Sequence, residues 1–78
     1  MPYAFQEDKK VGEVSTPEAH GPGGKFRCEI RGNGSLIALT KDKPIKVTAE
    51  DDHAGPAIKA GVVDADVPPG GRDVIIST

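Results

Sequence analysis

Ten glycines and seven prolines punctuate a chain of only 78 residues. Each breaks a helix interior, by entropy or by a missing N–H, and each favours a turn. The chain therefore folds as short segments joined by turns, and no uninterrupted helical pattern of any length survives between the breakers. The large apolar residues are mainly Ile, Val and Leu, with β-branched types dominant, which suits a pleated, half-buried surface.

Strands are read from alternation. Over Lys25–Arg31, Phe26, Cys28 and Ile30 fall on one face and Arg27, Glu29 and Arg31 on the other. Gly32-Asn33-Gly34 follows, and Asn-Gly tolerates the positive φ of a tight hairpin. The expected return strand is Ser35–Thr40, with Leu36, Ile37 and Leu39. Lys41-Asp42-Lys43-Pro44 turns the chain into a third strand in which Ile45, Val47 and Ala49 alternate with Lys46 and Thr48. A polar loop, Glu50–Pro56, leads to a strand over Ala57–Val63, where Gly61 signals a bulge or a close backbone approach. Asp64–Gly71 is a long turn, and Arg72–Ser77 closes the chain with Val74 and Ile76 on one face.

Residues 1–24 read differently. Val11 and Val14 are their only large aliphatics, set between Glu7-Asp8-Lys9-Lys10 and the breaker-rich run Thr16–Gly24. The expectation is an extended N-terminal arm over 1–24, with at most a short strand near Val11–Val14, and a β domain over 25–78. Such an arm orders only against a neighbour. Tyr3 and Phe5 would anchor it, with Val11 and Val14 behind them. The fold class that results is all-β: a small barrel or sandwich of about five to six short strands.

The chain is one thin domain. Cys28 is the sole cysteine, so an internal disulfide is excluded, and self-association or docking on a partner becomes the natural source of extra stability. No apolar run approaches the ~20 residues of a membrane span. The first ten residues lack a signal-peptide layout. The expectation is a soluble chain made in a cytoplasm and not secreted.

Net charge is −2, with no bulk attraction to nucleic acid or an anionic membrane. The charge is segregated: −2 over residues 1–24, +4 over 25–49 and −4 over 50–78. That pattern suits complementary surfaces within or between subunits.

Catalysis has no positive signal, and the expectation is a non-enzyme without cofactors. Cys28 shares its face with Phe26 and Ile30, which suits a buried, inert thiol. Glu50-Asp51-Asp52-His53 does not match the alternate-position acids of a calcium loop, and Asp64-Ala65-Asp66 offers two carboxylates only. No pair of histidines has zinc spacing. Gly21-Pro22-Gly23-Gly24-Lys25 lacks the Ser or Thr and the helix of a phosphate loop.

Two binding readings are legible from the residues. Arg27 and Arg31 share a face, with Lys41, Lys43 and Lys46 nearby in sequence. A basic two-stranded ribbon of this kind, paired with an acidic C-terminal part, is similar to antitoxin-like DNA-binding regulators, although no aromatic on the exposed face would stack on bases. The other reading is an adaptor that lends a strand edge to a peptide partner.

Residues 35–78 resemble the head-decoration proteins of tailed bacteriophages. The resemblance runs through Ala57-Ile58-Lys59-Ala60-Gly61-Val62-Val63, then Asp64-Ala65-Asp66-Val67, then Gly70-Gly71-Arg72-Asp73-Val74-Ile75-Ile76. The stretch Lys25–Thr40 departs from that family's layout. What the resemblance implies is a non-enzymatic cement on the outside of a capsid, often trimeric, that stabilises the shell by bridging its major capsid protein subunits and grips it with an N-terminal arm. On that view Tyr3, Phe5, Val11 and Val14 grip the shell. Arg27, Arg31, Lys41 and Lys43 meet acidic patches on it or on a sister subunit.

Overall fold

A computed structural model describes all residues from Met1 to Thr78. It is all-β, with seven strands: β1 Tyr3–Gln6, β2 Lys9–Glu13, β3 Glu18–Ala19, β4 Lys25–Glu29, β5 Pro44–Thr48, β6 Ala57–Val63 and β7 Asp73–Ser77. They form one sheet in the order β2-β1-β5-β6-β7-β4-β3. Every neighbouring pair is antiparallel.

Three strands fall where alternation places them. β4 buries Cys28, with Ile30 just beyond it, β5 buries Ile45 and Val47, and β7 buries Val74 and Ile76. β6 has the bounds read from the sequence, and Gly61 makes the close approach expected of it. A Cβ there would overlap the Ser77 carbonyl. Only glycine lets β7 end so near β6.

The inward side chains make one cluster: Ala4, Val11, Val14, Cys28, Ile30, Leu39, Ile45, Val47, Val63, Val67, Val74 and Ile76, with Ile37 packed against it. Four of these, Ala4, Val11, Val14 and Ile30, come from the region read as an arm or from the strand end that meets it. Residues 1–24 are therefore not an arm. β1 and β2 form a hairpin around Glu7-Asp8, with Glu7 at φ 59°, and β1 continues the sheet onto β5. Against β5, Ala4 stands opposite Val47 on the core side and Phe5 opposite Lys46 on the other side, where it packs near His53. β1 is thus covered on both faces and shows no apolar–polar alternation that would have announced the strand. The partner strand lies some forty residues away along the chain, so no local pattern could reveal it.

The expected Lys25–Thr40 hairpin is also absent. β4 is flanked by β3 and β7, and residues 35–40 form no strand. Instead, residues 30–43 cross one end of the core. Arg31 N–H donates to Glu13 O (2.8 Å), Ser35 N–H to Gly71 O (2.9 Å) and Leu36 N–H to Val11 O (2.9 Å). Leu39 and Val67 exchange both backbone bonds at 2.8 Å. This crossing segment drops Leu39 into the core, as the long turn does Val67.

The sheet is not closed. Its β2 end approaches β4 through the single bridge Val14–Ile30, and Ser15 ties on by donating its N–H to Glu29 O (2.8 Å). Strand edges meet there without a continuous ladder.

Candidate docking surface

The structure separates the residues named as partner contacts into two groups. Val11 and Val14 are fully buried, Phe5 is 4% exposed, and Tyr3 is half-buried. Phe5 lies near the His53 ring, with centroids 6.1 Å apart, and Lys10 Nζ sits 5.1 Å from the centre of the Tyr3 ring. These four serve the chain's own fold, and three of them cannot reach a partner while it stays folded.

The basic residues lie outside. Arg27 projects from β4 and pairs with Asp73 on β7 and with Glu29 (3.5 Å). The hydrogen bond that Arg27 donates to Asp73, more than any other influence, raises the guanidinium pKa further. Arg27 is thus neutralised where it stands. Arg31, Lys41 and Lys43 are exposed and take part in none of the ion pairs.

The charge segregation resolves largely within the chain. Lys10 pairs with Asp51 (2.7 Å), Lys25 with Asp64 (3.1 Å) and Arg27 with Asp73, so each of these bonds joins the acidic last third to an earlier segment. Two of the remaining acids bind backbone N–H groups, one within its own turn and one across the fold. Asp52 Oδ1 accepts Ala54 N–H (3.0 Å), and Asp66 Oδ1 accepts Lys41 N–H (2.6 Å).

Sequence reasoning missed the outward face of β6. Val63 is fully buried, so alternation turns Val62 and Ala60 outward. Register pairs Lys59 with Val47 and Ala57 with Thr48, which leaves Ile58 as the extra residue of a bulge. Ile58 is 43% exposed, one of three large apolar side chains so placed. Across the ladder, Pro44 stands opposite Val62 and Lys46 opposite Ala60, with Lys43 next to Pro44. The result is an outward apolar stripe, Ala60–Val62–Pro44, bordered by lysines, with the exposed Ile58 at the bulge along the same strand. The apolar run Ala57–Val63 was visible in the sequence, but only the partner strands say which side of it faces water.

On the opposite face of β6, Lys59 Nζ lies 3.7 Å from the centre of the Phe26 ring. Phe26 is on the same side of β4 as Cys28 and stands opposite Ile76, so this cation–π contact covers the core at that end of the β4–β7 ladder.

No ligand-sized cavity opens in the surface, and no three His, Cys, Asp or Glu side chains converge as a metal site. Cys28 is buried as expected, and desolvation pushes its thiol up to about 11 from an ordinary 9.0, against a smaller opposing pull from Arg27.

No family model, curated protein or solved structure matches this chain.

Proposed function

We propose that this is a non-enzymatic assembly protein that docks on a larger protein surface through the outward face of β5–β6, and that its partner is the shell of a tailed-phage head. The observation that carries this reading is the outward stripe Ala60–Val62–Pro44 with exposed Ile58 along the same strand. It is bordered by Lys43, which makes no ion pair, and by Lys46, whose Nζ donates to His53 O (2.9 Å). A small domain gains nothing by holding Ile58 in water, whereas burying it in an interface is favourable, and Lys43 would match a carboxylate at the rim of an apolar partner patch. The resemblance of residues 35–78 to head-decoration proteins runs through this same strand. The grip assigned to an N-terminal arm passes to a sheet face, because the arm's apolar residues are spent on the core.

The DNA-binding ribbon has less support. Its second strand is missing, and Arg27 is engaged by Asp73 and Glu29.

Pelleting with expanded, decoration-free phage head shells tests the reading. Wild-type protein is expected to co-sediment, and Ile58→Glu and Lys43→Glu are expected to bind on the order of tenfold more weakly, as interface hot spots do. Both substitutions sit at exposed positions, so circular dichroism should be unchanged. Wild-type protein that leaves the shells bare, yet shifts in sedimentation velocity with duplex DNA and releases it as salt rises, would establish the regulator instead.

A further inference from the structure

Asn33-Gly34 is the strongest turn signal in the sequence, yet no β-hairpin uses it. The structure holds the pair in an unusual setting. Asn33 is exposed, while Gly34 is buried at φ 87°, and a Cβ there would overlap the Gly70 carbonyl. The next residue is tied three ways: Ser35 N–H donates to Gly71 O (2.9 Å), Gly70 N–H to Ser35 O (3.2 Å), and Ser35 Oγ to Pro68 O (3.0 Å). On the other side, the Arg72 guanidinium donates to Ile30 O (3.1 Å) and to Gly32 O. Ile30 N–H in turn donates to Arg72 O (2.7 Å). Gly34 N–H points at Arg31 O from 3.4 Å, a long and weak bond.

We propose that Asn33 is a site of spontaneous deamidation that the native loop holds shut. In the reaction the Gly34 amide nitrogen gives up its proton and attacks Asn33 Cγ, forming the new C–N bond of a five-membered succinimide. The side-chain nitrogen leaves as ammonia. Water then opens the ring at one carbonyl or the other, giving aspartate or isoaspartate. Asparagine and water are consumed, an acid and ammonia are formed, and no electron changes hands. Glycine at 34 removes the Cβ that would hinder the attack.

Closing the ring requires the Asn33–Gly34 peptide group to swing about the Asn33 Cα–C bond. That motion carries Gly34 with it, and Gly34 cannot move while the Gly70 backbone and the Ser35 ties hold it. Reaction therefore waits for the 30–36 segment to open, an event less costly than global unfolding because the segment is a crossing loop without a ladder of its own. Arg72 is the positioning residue, fastening the loop through two carbonyls. The modification is also one-way. Isoaspartate adds a carbon to the main chain between Gly32 and Gly34 and a new negative charge, so Gly34 and Ser35 no longer meet Gly70 and Gly71 in register. An opened loop would be recorded permanently in the covalent structure.

Asn33 is the only asparagine in the chain, so its conversion is readable on the whole protein by intact mass, with peptide fragmentation separating aspartate from isoaspartate. The wild-type chain is incubated at one pH and temperature with and without unfolding urea. Arg72→Lys, which keeps the charge but loses the fork, is followed without urea, with circular dichroism confirming its sheet. Conversion in urea is expected to be on the order of tenfold faster or more, because every chain is then open. Folded Arg72→Lys should convert several-fold faster than folded wild type. Equal rates with and without urea, or no conversion in urea, would overturn the proposal. A folded Arg72→Lys that converts no faster than wild type would overturn the role of Arg72.

Discussion

At the scale of the residue, burial decides chemistry. Cys28 sits on the inward face of β4 and pairs across the sheet with Val74. Its thiol is held protonated to about pH 11, where an exposed thiol ionises near 9.0. Between those two pH values the native state binds more protons at this site than the unfolded state does, so stability falls as pH rises through the window. The loss attributable to Cys28 should reach about 2 kcal/mol by pH 11. Urea titrations of wild type and Cys28→Ala across that range should diverge by this slope, and parallel curves would show that the thiol is not desolvated. Thr48 shows how polar burial is reconciled: its hydroxyl donates to Glu50 O at 2.6 Å, so full burial leaves it satisfied.

At the scale of the element, the β1–β2 hairpin is the clearest case of local weakness repaired by distant contact. By itself it is a two-stranded ribbon with a left-handed glutamate in its turn, and such a ribbon is at best marginal in water. Packed onto β5, it buries Ala4, Val11 and Val14 in the core and Phe5 on the other face near His53. Full burial of each Val or Phe contributes about 1.5–3 kcal/mol, which a domain of this size cannot lose three times over. A chain lacking residues 1–14 should therefore be unfolded, with a coil-like far-UV spectrum and no cooperative urea transition. A truncated chain that still unfolds cooperatively would mean that the hairpin is an accessory arm after all.

At the scale of the whole molecule, three of the four ion pairs join segments that are far apart in sequence, yet they lie at the surface. The side chains of Lys10 and Asp51 are 40% and 50% exposed, so water and salt screen much of their attraction. The pairs select an arrangement of the chain more than they stabilise it. Raising salt from low to near-molar concentration should therefore leave the urea midpoint almost unchanged once any general salting effect is taken from the Lys10→Gln/Asp51→Asn double variant. A midpoint that falls steeply in wild type alone would show that surface electrostatics hold the sheet together.

What the sequence determined by itself was whatever depends on near neighbours. Alternation at Lys25–Arg31, Ile45–Val47 and Val74–Ile76 showed strands and their inward faces, because a pleat has a period of two whatever it pairs with. The bulge at Val47–Thr48 ends that pattern and leaves Thr48 buried and Ala49 exposed. The glycines and prolines excluded long helices, the run at Ala57–Val63 marked β6, and Gly61 announced a close approach. The tertiary structure decided everything that needs a distant partner. β1 was hidden because it is covered on both faces, Ala4 by the core and Phe5 on the other side near His53, and only β5 and the loop after it make that burial worthwhile. Asn33-Gly34 has the local chemistry of a hairpin, but β4 already has partners on both sides, so the chain crosses the core there instead. The outward stripe on β6 belongs to the same class. A strand's residues state that two faces exist, and only the strands beside it determine which one meets water.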